Sequence, residues 1–174
     1  MRQELTTDSV SRYIEASPDD LYGVVSDVTR QPEMSPEIVS CTWIKGATGP
    51  EVGARFKAIN HAGRGPDWPN KPVVVTADPG REFAFARTEA FAGTVEWRYR
   101  FEPEATGTRV TESYAVTKDL TIIGWFIIDT LYGCKDRRGD LRAGMEQTLA
   151  RLAEITESDS RSRDAKSTSE SDVA

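Results

Sequence analysis

The chain is poor in the residues that most often bind metals or form covalent cross-links. Its 174 residues include two cysteines, Cys41 and Cys134, and one histidine, His61. A structural zinc site uses four ligands, most often nitrogen or sulfur, so these three side chains are too few. Carboxylates could complete such a site, but no spacing indicates one. We therefore expect two free thiols, a solvated histidine, and no metal or other cofactor.

The chain also lacks an excess of positive charge. Its formal net charge is −6 at neutral pH, and a chain of this balance repels a phosphate backbone. The most basic stretch, residues 135–142, has acidic residues interleaved with its basic ones. The composition therefore predicts that the protein does not bind nucleic acid.

No hydrophobic run is long enough to span a membrane. The most apolar stretch, Ile122 to Leu131, is interrupted by Gly124 and Asp129 and is far shorter than the ~20 residues that a spanning helix needs. The N-terminal residues lack the apolar segment of a signal peptide. Together with free cysteines, these features predict a cytoplasmic protein without stable membrane insertion.

The N-terminal part of the chain predicts one strand followed by two short helices. Residues 5–15 alternate in the manner of a strand. Ser17 can cap a helix that has Pro18 at its first position, and apolar residues then recur at helical spacing. A short second helix or turn is expected in the proline-containing stretch 29–36.

Six further strands are predicted between residues 38 and 118. Short connectors rich in glycine and proline separate them, which favours hairpins. A parallel sheet would need helical segments between its strands, and the sequence indicates none. The strand centres fall near Trp43, Phe56, Val74, Phe85, Trp97 and residues 110–114.

Residues 122–157 predict one long helix, because apolar residues such as Leu141 and Leu149 recur there at roughly helical intervals. From residue 158 the chain is rich in Ser, Asp and Arg without periodicity, which predicts a disordered polar tail over 158–174. We therefore expect one α+β domain over 1–157. A curved antiparallel sheet of six to seven strands would wrap the long C-terminal helix and enclose a cavity.

Several short motifs follow one another along the chain in a recognisable order and spacing. They are Val52–Phe56, Asn60, Trp68, Pro79–Arg81 with Phe83 and Phe85, Trp97–Phe101, Gly107–Ser113 and Gly144–Leu152. Together they resemble the polyketide cyclase/dehydrase branch of the START/Bet v 1-like (SRPBCC) superfamily, over about residues 5–156. The resemblance implies a helix-grip fold with a deep hydrophobic cavity. It implies no single activity, since members include aromatase/cyclases, lipid and hormone carriers and stress-related proteins.

Strand alternation predicts which side chains face this cavity. Asn60, Arg87 and Glu112 fall in register with apolar residues, and burying such groups unpaired costs several kcal/mol. They would orient the polar end of a ligand or, as the alternative, reach solvent or form a structural ion pair. The predicted ligand-binding residues are Phe56, Asn60, Trp68, Phe83, Phe85, Arg87, Trp97, Tyr99, Glu112, Tyr114, Trp125, Asp129 and Tyr132.

The sequence gives little indication of catalytic machinery. It has no Ser/His/Asp arrangement and no glycine-rich phosphate loop. Cyclases of the superfamily that the chain resembles need little beyond a shaped cavity and one or two proton-transfer groups. The candidates here are Arg87, which could polarise a carbonyl, and Glu112 and Tyr99, which could move protons.

Three functions therefore stay open. The first is binding of a small hydrophobic molecule, lipid-like or aromatic and polyketide-like, in a carrier or sequestering role. The second is a cyclase or dehydratase that uses the same cavity without a metal or nucleotide cofactor. The third is a regulatory interaction module that pairs with a partner or dimerises through Trp125 to Tyr132. A monomer and a homodimer are both compatible with the sequence.

Overall fold

The computed structural model of the protein describes residues 6–61, 65–89, 93–118 and 136–171. Within these ranges, most residues up to 118 lie in strands, and residues 137–171 form one long helix. The elements are β1 (Thr7–Ile14), α1 (Pro18–Ser26), a 3-10 turn (Val28–Arg30), α2 (Gln31–Met34), β2 (Ile38–Ile44), β3 (Arg55–Asn60), β4 (Trp68–Asn70), β5 (Val73–Asp78), β6 (Glu82–Glu89), β7 (Gly93–Glu104), β8 (Gly107–Lys118) and α3 (Arg137–Ser171).

The strands form one curved antiparallel sheet in the order β1-β8-β7-β6-β5-β3-β2, with β4 paired to β3. The α+β helix-grip fold is therefore confirmed, including the two short helices after the first strand. The sheet has eight strands, and β4 is the one that the pattern did not predict. This strand is three residues long and has Pro69 at its centre, so neither alternation nor β-propensity marks it.

The start of α1 follows directly from its sequence. The Ser17 side chain accepts a hydrogen bond from the Asp20 backbone N–H over 3.1 Å, and Pro18 occupies the first turn. Asp19 and Asp20 place negative charge at the positive end of the helix dipole. The helix then buries Leu21 and Val25 against the sheet side of the domain.

Helix α3 packs on the sheet and contacts β1, β8, α1 and α2. Leu149 and Leu152 belong to the larger of two buried apolar clusters. Leu141 and Met145, one to two turns earlier, form a smaller cluster with a tyrosine of β8. The buried apolar residues therefore form two clusters beneath the first half of α3, and Trp97 contacts both of them.

Some predictions fall beyond the part of the chain that the structure describes. The predicted helix over 122–157 lies outside the described residues up to residue 135, and α3 begins at Arg137. The boundary at residue 157, with a polar tail after it, stays a prediction. Within the described ranges, no helix is both long and apolar enough to cross a bilayer.

Candidate functional site

A cavity of about 70 Å³ lies between the sheet and the first half of α3. Its wall takes residues from both apolar clusters and from the segment that joins α2 to β2. The described lining residues are Gln31, Ser35, Pro36, Glu37, Ile38, Phe56, Ala58, Asn60, Asn70, Pro72, Phe85, Arg87, Trp97, Tyr99, Glu112, Asp140, Leu141, Gly144, Met145 and Thr148.

One side of the cavity is an aromatic wall built from three strands. Phe56 on β3 and Phe85 on β6 meet edge to face with ring centroids 5.3 Å apart. Trp97 on β7 is directly opposite Phe85 in the sheet register. Such wide apolar side chains supply most of the burial energy in a ligand pocket. This wall favours an apolar or aromatic molecule.

Two of the lining residues, a buried carboxylic acid and a buried phenol, are hydrogen-bonded to each other. Tyr99 and Glu112 are directly opposite on β7 and β8, and the Tyr99 hydroxyl donates to Glu112 Oε1 over 2.8 Å. The Glu112 residue is only 3% exposed. Burial raises the pKa of Glu112 from its ordinary 4.5 to about 8, against the lowering effect of the Tyr99 hydrogen bond. Near neutral pH this carboxyl is therefore mostly in its acid form.

Two polar atoms of the lining have no hydrogen-bond partner among the described residues. They are Glu112 Oε2 and Asn70 Oδ1, and the Asn70 residue is 7% exposed. Leaving such an atom buried and unsatisfied costs about 1–3 kcal/mol. Native structures hold few of these groups, so a bound molecule or ordered water is expected to satisfy them.

Asn60, by contrast, uses its side chain within the fold. It is buried, and its Nδ2 donates to the Trp68 backbone carbonyl over 3.3 Å. The two residues are also paired in the β3–β4 register. Asn60 therefore lines the cavity, and its side chain also hydrogen-bonds the short strand β4 to β3.

Arg87 lies in the cavity wall, in the same lining as Glu37. Burial alone would raise the pKa of Glu37, but the hydrogen bonds and charge of Arg137, together with the charge of Arg87, lower it below 4.5. Arg137 contacts Glu37 through both Nη atoms. The lining therefore includes an ionised acid, Glu37, beside its cationic partners, and an acid, Glu112, in its neutral form.

The structure brings most of the sequence-predicted site residues together. Those at the cavity are Phe56, Asn60, Phe85, Arg87, Trp97, Tyr99 and Glu112. Three others lie outside the described lining: Phe83 packs on Tyr22, Tyr114 packs on Trp97 beneath α3, and Trp68 is half-buried in β4. The last three, Trp125, Asp129 and Tyr132, lie outside the described residues.

Other lining residues were not predicted from the sequence. Thr148 lies three residues after Met145, on the helix face that the apolar spacing already marks, so that spacing was a usable signal. Asn70 follows a proline in a three-residue strand, and Gln31 sits in a helix of one turn. Elements this short carry no periodicity, so no pattern pointed to these two residues.

Two of the three cysteine and histidine residues, His61 and Cys41, lie outside the described cavity lining, and Cys134 lies outside the described residues. The His61 side chain is 43% exposed, and its Nδ1 is 2.7 Å from Asp67 Oδ1. Cys41 is buried, and burial raises the pKa of its thiol to about 12, so it is not a reactive thiolate. Among the residues that the structure describes, no group of three His, Cys, Asp or Glu side chains is placed to hold a metal ion.

Solved structures similar to this chain share its fold over most of its length. The Polyketide_cyc-like protein Cgl2372 from Corynebacterium glutamicum is 31% identical, with a TM-score of 0.53, over 87% of this chain and 91% of that one. The protein TTHA0849 from Thermus thermophilus is 24% identical, with a TM-score of 0.65, over 88% and 99%. No curated protein matches the chain significantly.

A further similar structure is the di-domain ARO/CYC StfQ from the steffimycin biosynthetic pathway. It is 15% identical, with a TM-score of 0.71, over 89% of this chain and 51% of StfQ. The chain thus spans about half the length of that protein, and the likeness concerns the fold alone.

The sequence itself matches one family description over nearly the whole domain. Residues 7–157 match the family of polyketide cyclase/dehydrase and lipid transport proteins. The curved sheet, the long C-terminal helix and the cavity between them agree with this match. The chain therefore belongs to the polyketide cyclase/dehydrase and lipid transport family, a branch of the START/Bet v 1-like (SRPBCC) superfamily.

Proposed function

We propose that the protein binds a small, mostly apolar molecule in the cavity beneath α3 and carries or sequesters it. One observation carries the proposal: an aromatic wall and a buried carboxyl group with an unsatisfied oxygen line the same cavity. An apolar interior that existed only for stability would not be expected to retain such a group, because leaving it unsatisfied costs stability. A ligand with one polar group satisfies both features.

The size of the cavity sets a condition on binding. Its volume of about 70 Å³ is roughly half of the ~150 Å³ cavity that accommodates benzene in a protein core. An aromatic ligand must therefore widen the space. Met145 lines it, and the unbranched Met side chain changes rotamer easily. We expect ligand binding to be accompanied by movement of this wall.

A second function, that of a cyclase or dehydratase, is favoured by the properties of Glu112. Its pKa of about 8 is close to the value at which a general acid or base works best near neutral pH. Arg87 lines the same space and could polarise a carbonyl group. Under this proposal, replacing Glu112 or Arg87 abolishes turnover of an identified substrate while its binding persists. A carrier loses only part of its affinity in the same variants.

The third function, a regulatory interaction module, rests on Trp125 to Tyr132, which lie outside the described residues. A Trp125→Ala, Phe126→Ala variant with an unchanged gel-filtration volume would remove its basis. The same comparison reports whether the protein is a monomer or a homodimer. The cytoplasmic location also stays a prediction from the sequence.

The first test of the carrier proposal is native mass spectrometry of freshly purified protein, followed by denaturation and extraction. A hydrophobic molecule at near-stoichiometric level supports the proposal and gives the ligand class. Ala58→Leu is the matched control, since Ala58 is buried in the cavity wall and a larger side chain there fills the space. A molecule retained equally by this variant is bound elsewhere, which contradicts the proposal.

A further inference from the structure

The two unsatisfied atoms of the cavity come from separate parts of the sheet. Glu112 lies on β8 near one end of the strand order, and Asn70 lies on β4, which pairs with β3 near the other end. Both residues are more than nine-tenths buried, and both side chains line the cavity. Both atoms are therefore available to a single molecule in the cavity, and they come from strands that lie far apart in the sheet order.

The environment of Glu112 decides which partner its free oxygen requires. The charged and titratable groups around the cavity are Tyr99 from β7, Arg87 from β6, Glu37 from the segment before β2 and Asp140 from α3. Among the described residues, its direct hydrogen bond comes from Tyr99, which holds Oε1. One hydrogen bond does not offset the cost of burying a full negative charge. The carboxyl is therefore protonated, and its second oxygen presents an O–H donor that needs an acceptor.

Asn70 presents the opposite requirement. Its Oδ1 is a carbonyl oxygen, so it can only accept a hydrogen bond. In the part of the chain that the structure describes, no donor reaches it. The cavity thus holds one unused donor and one unused acceptor, with the aromatic wall of Phe56 and Phe85 beside them.

We infer that the cavity selects an uncharged ligand with a carbonyl group at one end, which accepts from Glu112, and a hydroxyl group at the other, which donates to Asn70 Oδ1. This inference rests on the proposed ligand-binding function and gives the ligand's polar chemistry. The apolar wall accommodates the body of the molecule, and the two polar ends fix its direction. A fatty acid or other anion fits this arrangement less well, because its carboxylate would add a second negative charge to the lining that holds the ionised Glu37, and Arg87 in the same lining would offset only part of that cost.

Four para-disubstituted benzenes of similar size test the inference by isothermal titration calorimetry. Para-(hydroxymethyl)acetophenone carries both groups, para-ethylacetophenone carries only the carbonyl, para-ethylbenzyl alcohol carries only the hydroxyl, and para-diethylbenzene carries neither. At about pH 6 we expect the first to bind most tightly, with roughly a tenfold loss for each group removed. Above the Glu112 pKa of about 8, the advantage of the carbonyl should disappear while that of the hydroxyl remains.

Two variants assign the contacts to residues. Glu112→Gln keeps a neutral donor, so the carbonyl-bearing probes should bind it equally well at about pH 6 and above pH 8. Asn70→Leu should lose the roughly tenfold advantage of the hydroxyl and keep that of the carbonyl. Glu51→Gln, an exposed acid outside the lining, is the charge-matched control. Thermal unfolding of each variant identifies any that fail to fold. The comparison of the four probes on the wild type does not depend on the variants.

The outcomes separate the inference from the function on which it rests. If no probe binds, including para-diethylbenzene, the proposed ligand-binding function fails. If all four bind with equal affinity, the cavity takes apolar molecules and the inference about Glu112 and Asn70 is overturned. Water would then be the partner of both atoms. A carbonyl advantage that persists unchanged well above pH 8 in the wild type overturns the role assigned to Glu112.

Discussion

Arg137 places both of its Nη atoms on the carboxylate of Glu37, at 2.5 and 2.9 Å, although the two residues are 100 positions apart in the sequence. Their side chains are 9% and 26% exposed. The pair joins the first turn of α3 to the segment between α2 and β2. Both of these segments line the cavity, so the ion pair fixes their separation at this end of the site.

We expect Arg137→Met to lower the free energy of unfolding by about 2–3 kcal/mol, because it leaves the mostly buried Glu37 carboxylate without its partner. Glu37→Gln should also destabilise the fold, because it removes the carboxylate from beside the Arg137 guanidinium, whose side chain is only 9% exposed. Urea unfolding of the two single variants and the double variant gives the coupling energy.

Arg109→Met is the control for this pair. Arg109 binds Glu104 through Nε and Nη2, and the two side chains are 41% and 44% exposed. A pair that solvent reaches on both sides contributes little to stability. Equal losses in Arg137→Met and Arg109→Met would show that burial does not strengthen the Glu37 pair.

The acidity of Glu112 predicts how stability changes with pH. Its pKa is about 8 in the folded protein and 4.5 ordinarily, so between these values the folded state binds the additional proton. The wild type should therefore lose stability as the pH rises from about 4.5 to about 8, with a slope contribution of up to about 1.4 kcal/mol per pH unit. In Glu112→Gln this contribution is absent. Denaturant unfolding across the pH range measures the difference.

The same substitution at an exposed acid should leave the slope unchanged. Glu51 is exposed, so Glu51→Gln should follow the wild-type curve. If the free energy of unfolding changes with pH in the same way in the wild type and in Glu112→Gln, then burial does not raise the pKa of Glu112 and its carboxyl group is ionised in the folded protein.

Removing the Tyr99 hydroxyl should raise the pKa of Glu112 above its value of about 8, because that hydrogen bond lowers it. Tyr99→Phe also leaves Glu112 Oε1 without this donor, which we expect to cost about 1–3 kcal/mol. The loss of stability with rising pH should extend to higher pH than in the wild type. Tyr13→Phe, at an exposed tyrosine, is the matched control.

Sequence pattern predicted the inward faces of the long strands, because successive side chains of a strand point to opposite faces of the sheet. Trp97 and Tyr99 face the cavity for this reason, and so does Glu112, although its charge argues against burial. The residue type alone would have placed Glu112 in solvent.

The remaining parts of the site depend on contacts that no local pattern encodes. The Glu37–Arg137 pair joins residues that only the folded chain brings together. Phe83 and Phe85 share a face of β6, yet Phe85 lines the cavity and Phe83 packs beneath α1 on Tyr22. Strand alternation predicts which face of the sheet a side chain lies on. Whether that side chain then lines the cavity or packs in the core depends on which helix lies over it, and the strand sequence does not encode this.

This difference between two neighbouring phenylalanines gives a direct test of the cavity. Phe83→Leu and Phe85→Leu remove similar apolar volume, so each should lose about 1–2 kcal/mol of stability. In Phe85→Leu the freed space joins the cavity, whereas in Phe83→Leu it opens within the packed core. Para-diethylbenzene should therefore raise the melting temperature of Phe85→Leu more than that of Phe83→Leu or the wild type.

The physical basis is that a ligand stabilises the folded state by an amount that grows with its affinity and concentration. Widening the cavity removes part of the cost of opening a space of about 70 Å³ to an aromatic ring, so affinity should rise in that variant alone. An equal response of the two variants would mean that the probe fills any new void. The aromatic wall would then have no special role in binding, because Phe83, with no place in the described lining, would serve as well as Phe85.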